Sequence, residues 1–201
     1  MAEDSPPIVT KLDGTIAIIR FNRPTQRNPL SISTLNDLES TLLELMPRDD
    51  VKALIFTGSA DVFASGANIR ELARLDSISA VQFSQLGQRV FQRIADARQL
   101  TIAAINGYCM GGAMDLALAC DVRVASIDAI FAHPGARLGI ITGWGGTQRL
   151  PRIIQKGRAL ELFVTGRRIT SAEALEVGLV SSVSDCPLDN AIAMARESCL
   201  R

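Results

Sequence analysis

One histidine, His133, is all that the 201 residues contain. Mechanisms that set a histidine base beside a nucleophile therefore depend on that single ring standing in the right place. Cysteine is scarce as well, and Cys109, Cys120, Cys186 and Cys199 form no CxxC pair. With one histidine a Cys/His zinc site is hard to assemble, so the four are read as buried thiols and no metal is expected. Neither sign of charge predominates, with 21 Lys+Arg against 21 Asp+Glu and a pI near 6.6. That balance argues against a surface for polyphosphate backbones, and nucleic acid is not an expected partner. No uncharged apolar run reaches the ~18–20 residues that span a bilayer, and residues 1–7 lack the basic and apolar regions of a secretion signal. A cytoplasmic protein without membrane contact is expected. GxGxxG and GxxxxGKS/T are absent too, which removes the usual dinucleotide and nucleotide loops.

What is present is an ordinary globular composition, 47% hydrophobic and 21% charged, on a chain long enough for one domain or one domain plus a short appendage. Asp13-Gly14 separates two β-rich segments, 9–12 and 15–21, and predicts a hairpin. Ser31 caps an apolar helical pattern over 32–46 that stops before Pro47. Residues 51–57 and 101–105 read as strands buried on both faces, 61–68 as a small-residue loop, and 80–97 as a long amphipathic helix. A short helix over 113–120 is apolar almost all round and belongs in the middle of a domain. Residues 122–125, 130–132 and 179–183 are strand candidates; 145–154, 157–165 and 171–177 look helical. Strands alternating with helices predict an α/β fold with a mainly parallel sheet. Residues 188–200 are helical in pattern without a cap, so the chain is read as ending in mid-helix.

Two stretches could carry chemistry. Strand, Gly111-Gly112 turn and buried helix follow one another, which sets free backbone N–H groups at a helix N-terminus where negative charge is favoured. Asp115 lies one turn deeper on the same face. A carboxylate beside an oxyanion donor can move a proton next to a carbonyl; equally, the glycines could serve packing and Asp115 an arginine. The second stretch, residues 63–72, has small side chains that let a ligand approach the main chain closely, as would any tight strand-to-helix crossover.

Together these stretches carry a resemblance. The chain resembles the crotonase superfamily, the enoyl-CoA hydratase/isomerase group, through Asn22-Arg23-Pro24, Phe63-Ala64-Ser65-Gly66-Ala67-Asn68-Ile69, Asn106-Gly107-Tyr108 with Gly111-Gly112, Cys120-Asp121, Gly145-Gly146-Thr147-Gln148-Arg149-Leu150 and residues 174–180, in one collinear order over 9–183. The resemblance implies an α/β core of repeated ββα units forming two sheets with helices outside. It also implies an acyl-CoA thioester as substrate and no metal or redox cofactor. Carried over residue by residue, the oxyanion donors are the N–H groups of Ala67 and Gly112. Main-chain groups of Ser65, Ala67 and Ile69 bracket the adenine of the CoA, Gly66, Asn68 and Gly111 in the same loops belong to the CoA-binding set, and Arg70 and, more loosely, Arg27 stand near the CoA phosphates. Residues 1–185 are assigned to the core and 186–201 to the start of a C-terminal helical region, largely missing, which in the family covers the acyl pocket and helps form trimers or pairs of trimers.

The chain also departs from the pattern. Hydratases of the family use two glutamates; Asp115 stands at the first position, and the second, after Pro134, is Gly135. Residues 140–144 offer no replacement acid. The expectation is one carboxylate, two oxyanion donors and room left beside Gly135, lined by Trp144. Three activities fit this set: an enolate enzyme with Asp115 as single base, aided by His133, which would share a strand face with Gly135, or by an anion or water filling the space beside Gly135; a hydratase of reduced efficiency running on Asp115; or a CoA-thioester-binding subunit with little turnover.

Overall fold

A computed structural model describes residues 5–198. The Asp13-Gly14 turn closes the expected hairpin, β1 (Ile8–Asp13) antiparallel to β2 (Ile16–Phe21). After β3 (Pro29–Leu30), the Ser31 hydroxyl accepts the Thr34 amide and starts α1 (Ile32–Leu45), which buries Leu35, Leu38, Leu42 and Leu45 at helical spacing. A strand-strand-helix order then repeats. β4 (Ala53–Thr57) and β5 (Val62–Ala64) lead through β6 (Gly66–Ala67) to α2 (Ile69–Leu72) and α3 (Ser77–Ala95). β7 (Leu100–Ile105) and β8 (Tyr108–Met110) lead to α4 (Gly112–Ala119), and β9 (Val122–Ser126) and β10 (Ile130–Ala132) to α5 (Gly146–Ile154) and α6 (Lys156–Thr165). β11 (Ile169–Thr170), α7 (Ser171–Glu176), β12 (Ser182–Ser184) and α8 (Pro187–Ser198) follow.

Within each repeat the first strand joins one sheet and the second joins another. The larger sheet runs β1-β2-β4-β7-β9-β12, parallel except at β1, and the smaller runs β11-β10-β8-β5. This is the repeated ββα architecture that the resemblance implies. Alternation along the central strands explains why they read as continuous apolar runs. Ala17, Ile19, Leu54, Phe56, Ala103 and Ile105 face the main core, while Ile16, Ile18, Ala53, Ile55, Ile102 and Ala104 form a second cluster with Ala191 and Ala195 of α8. The segment assigned to a C-terminal region thus packs, through residue 198, on the outer face of the large sheet.

Several expectations are corrected. The loop expected over 61–68 contains β5 and β6, and a strand not expected from the sequence, β8, lies between β7 and the Gly111-Gly112 turn. The last strand begins at Ser182 rather than at residue 179. Cys109 and Cys120 are buried as expected, but Cys186 is exposed, since it precedes α8 outside both clusters; Cys199 lies outside the described residues. Among the described residues no helix is long and apolar enough to cross a membrane.

Candidate active site

Two backbone segments are brought together by unusual local structure. Asn28 is buried at a left-handed φ of 48°, a conformation asparagine tolerates better than most residues. Its side-chain amide donates to the carbonyls of Val62 (2.9 Å) and Phe63 (3.2 Å), and its own carbonyl accepts the Ser65 N–H (3.3 Å). Together with the parallel pairing of β3 and β6, this ties residues 62–67 in place. Gly66 then takes a φ of +82°, and a Cβ there would lie 2.5 Å from the Met110 carbonyl oxygen and 2.9 Å from the Gly112 nitrogen. Only glycine permits that passage. Gly112 is the first residue of α4; among the described residues no side chain caps this end, so its N–H is one of the orphan donors at a positive helix end.

Between these segments lies a cavity of about 300 Å³. Ser65, Ala67 and Ile69 border it on one side and Gly111 and Gly112 on the other, with an apolar wall from Leu72, Leu75, Phe83 and Trp144. Trp144 lines the cavity as expected. Its ring meets Phe83 and Phe91 edge-on, with centroids 5.1 and 5.5 Å away, and fits against two glycines: a Cβ at Gly87 or at Gly112 would each lie 2.3 Å from indole atoms. Gly87→Ala is accordingly expected to cost about 1–3 kcal/mol through overpacking, seen as a lower urea midpoint with an unchanged slope.

The remaining assigned residues separate into groups. Gly66 is buried behind the cavity wall, and Asn68 caps α2, its side-chain oxygen accepting the Arg70 N–H at 3.0 Å. Arg27 and Arg70 are exposed and off the wall; the Arg27 guanidinium stacks 4.9 Å above the Tyr108 ring.

Asp115 is fully buried and does not line the cavity. Thr142 donates its hydroxyl to Oδ2 of Asp115, and the Nε2 of His133, which does line the cavity, lies 3.3 Å from Oδ1. Burial pushes the Asp115 carboxyl up to about 6, opposed by the Thr142 hydroxyl, the amides of Trp144 and Gly146 and the charge of Arg149. Burial pushes His133 down to about 4. The sequence expectation that His133 aids Asp115 agrees with their proximity, whereas the Thr142 contact is not legible in the sequence, because it joins α4 to the loop before α5.

One expectation around Gly135 is overturned. β10 ends at Ala132, and His133 precedes a 3-10 turn over Pro134–Leu138, so His133 and Gly135 share no strand face. Gly135 borders the cavity together with Trp144. Its own Cβ direction is taken up, however: a Cβ there would lie 2.6 Å from the Ile140 carbonyl oxygen, and the Ile140 N–H donates to the Gly135 carbonyl at 3.0 Å. Among the described residues no cluster of His, Cys, Asp and Glu is arranged to hold a metal ion.

Comparison with known proteins agrees with this architecture. Residues 11–200 match the sequence model of the family described as Enoyl-CoA hydratase/isomerase. Similar proteins include the short-chain-enoyl-CoA hydratase of Clostridium acetobutylicum, 37% identical over 177 residues, which cover 88% of this chain and 68% of that protein. The crotonyl-CoA hydratase of Syntrophomonas wolfei is 38% identical, with the same coverage of 88% and 68%. Among solved structures, the enoyl-CoA hydratase of Bacillus anthracis superposes with a TM-score of 0.91 at 35% identity, covering 95% of this chain and 76% of that one. Fold, ordered motifs and relatives converge: this chain is an enzyme of the enoyl-CoA hydratase/isomerase family, within the crotonase superfamily.

Proposed function

We propose that the cavity holds the acyl thioester of a CoA ester and stabilises its enolate, with the thioester oxygen accepting hydrogen bonds from the amides of Ala67 and Gly112. The observation that carries this is the passage of Gly66 against Gly112, which brings the two segments within van der Waals contact. The positive end of α4 adds to the stabilisation of the developing charge, and the loss of one such donor typically costs ~2.7–4 kcal/mol. The apolar wall suits an acyl chain. Ser65, Ile69 and Gly111 suit the CoA arm, with Arg70 assigned to its phosphates and Arg27 the weaker candidate. The names of the two relatives support a short 2-enoyl thioester as substrate and addition of water as the reaction. The CoA ester is consumed as substrate, and the reading calls for no metal or redox cofactor. A cytoplasmic homotrimer or pair of trimers belongs to the same proposal.

A second reading, a CoA-thioester-binding subunit with little turnover, draws on the burial of Asp115 away from the cavity and the lack of a side chain at Gly135. Crotonyl-CoA separates the two. The first expects loss of enoyl absorbance on addition of the protein; the second expects calorimetric binding with the absorbance intact. Failure to bind either crotonyl-CoA or butyryl-CoA overturns both.

A further inference from the structure

Beside the cavity two buried polar atoms lie close together without a hydrogen bond. Nε2 of His133 and Oδ1 of Asp115 lie 3.3 Å apart, and among the described residues neither atom makes a hydrogen bond. Their side chains are 4% and 0% exposed. Buried polar atoms left unpaired are costly, so two that lie within reach of each other call for a role. The arrangement is directional. Oδ2 of Asp115 is held by Thr142, the carboxylate does not border the cavity, and His133, which does, packs on the Phe163 ring with centroids 5.0 Å apart. With Asp115 ionised, the proton of a neutral imidazole belongs on Nε2, toward Oδ1, which leaves Nδ1 with the free lone pair.

We propose that His133 is the acid–base group that meets the bound enoyl thioester, and that Asp115 acts through it as a positioning residue. The inference rests on the reading of the cavity as an enoyl-thioester site. The step balances with one group. His133 Nδ1 takes a proton from water as the water oxygen bonds to the β-carbon, and the π electrons move to the thioester oxygen between the two amides. The imidazolium then returns the proton to the α-carbon as the carbonyl re-forms. One ring performs both transfers, so no second carboxylate is required at Gly135.

The test uses the whole chain, with butyryl-CoA as the unreactive ligand. His133→Asn and His133→Ala are expected to bind butyryl-CoA within about 3-fold of wild type and to lose about 10²–10⁴ in turnover of crotonyl-CoA, with part of the loss in His133→Ala restored by added imidazole. Because the chain has one histidine, the ¹⁵N spectrum of its imidazole is unambiguous. It is expected to show the Nε2–H tautomer in wild type and a mixture in Asp115→Asn. Wild-type turnover in both His133 variants, or an Nδ1–H tautomer in wild type, overturns the proposal while leaving the thioester site intact. Failure of the wild type to bind butyryl-CoA overturns the site itself.

Discussion

Gly66→Ala is expected to lower turnover of an enoyl-CoA by about 10²–10³-fold, although it removes neither amide donor. The added Cβ must enter a gap bounded by the Met110 carbonyl at 2.5 Å and the Gly112 nitrogen at 2.9 Å, and both bounding groups are backbone. Neither can swing aside as a side chain could. The strand carrying Ala67 and the turn carrying Gly112 must therefore separate, and donors aimed at one oxygen lose their common focus. The backbone conformation contributes as well, because a φ of +82° is unfavourable for alanine. Gly14→Ala separates the two causes. Gly14 has a φ of +60°, but a Cβ there would meet no described atom within 4 Å, so this variant should lose about 1 kcal/mol of stability and keep full turnover. Full activity in Gly66→Ala would show that the two amides do not cooperate.

The second large effect is on stability against pH. Asp115 has its folded pKa raised from 3.8 to about 6, so the folded state holds the proton more firmly than the unfolded chain. The stability this gives is complete below about 3.8 and is lost as pH rises through about 6. His133 has its folded value lowered from 6.5 to about 4; its contribution is complete above 6.5 and is lost as pH falls through about 4. Each slope is on the order of a few kcal/mol, and between pH 4 and 6 the two oppose each other in the wild type. Removing one partner uncovers the other. Asp115→Asn should gain stability from pH 4 to 6.5, and His133→Asn should lose it over the same range, both measured as urea midpoints relative to wild type. Glu39 and Glu173, which arginines hold below the ordinary carboxylate range, add an acid-side loss common to every variant, so it drops out of the difference. Variants that parallel the wild type would mean that burial does not govern these two groups.

Much of this fold was legible because its large elements are periodic. The hairpin at Asp13-Gly14, the leucine spacing of α1 and the doubly buried strands β4 and β7 follow from turn chemistry and burial alone. The short strands were not legible. Runs of two or three residues such as β5, β6 and β8 contain too few positions to show a period, and their pairing comes from partners distant in the chain. The site divided in the same way. The Gly111-Gly112 helix start could be read locally, since a helix end carries its own electrostatics. The meeting of His133 with Asp115 could not, because it depends on how the turn after β10 folds over α4. The sequence pattern did mark Gly135 as the missing acid, yet the Ile140 backbone lying in its Cβ direction required coordinates. Asn28 escaped notice altogether, since nothing local marks an asparagine that will be buried at positive φ.

Trp144 is the only tryptophan in the chain, and its indole rests on the first residue of α4 while bordering the cavity. Light absorbed and re-emitted near the red edge of the protein band therefore originates at one spot, a ring's width from where an acyl chain would lie. The molecule carries its own optical label, and filling or emptying of that place can be followed in real time without attaching a dye.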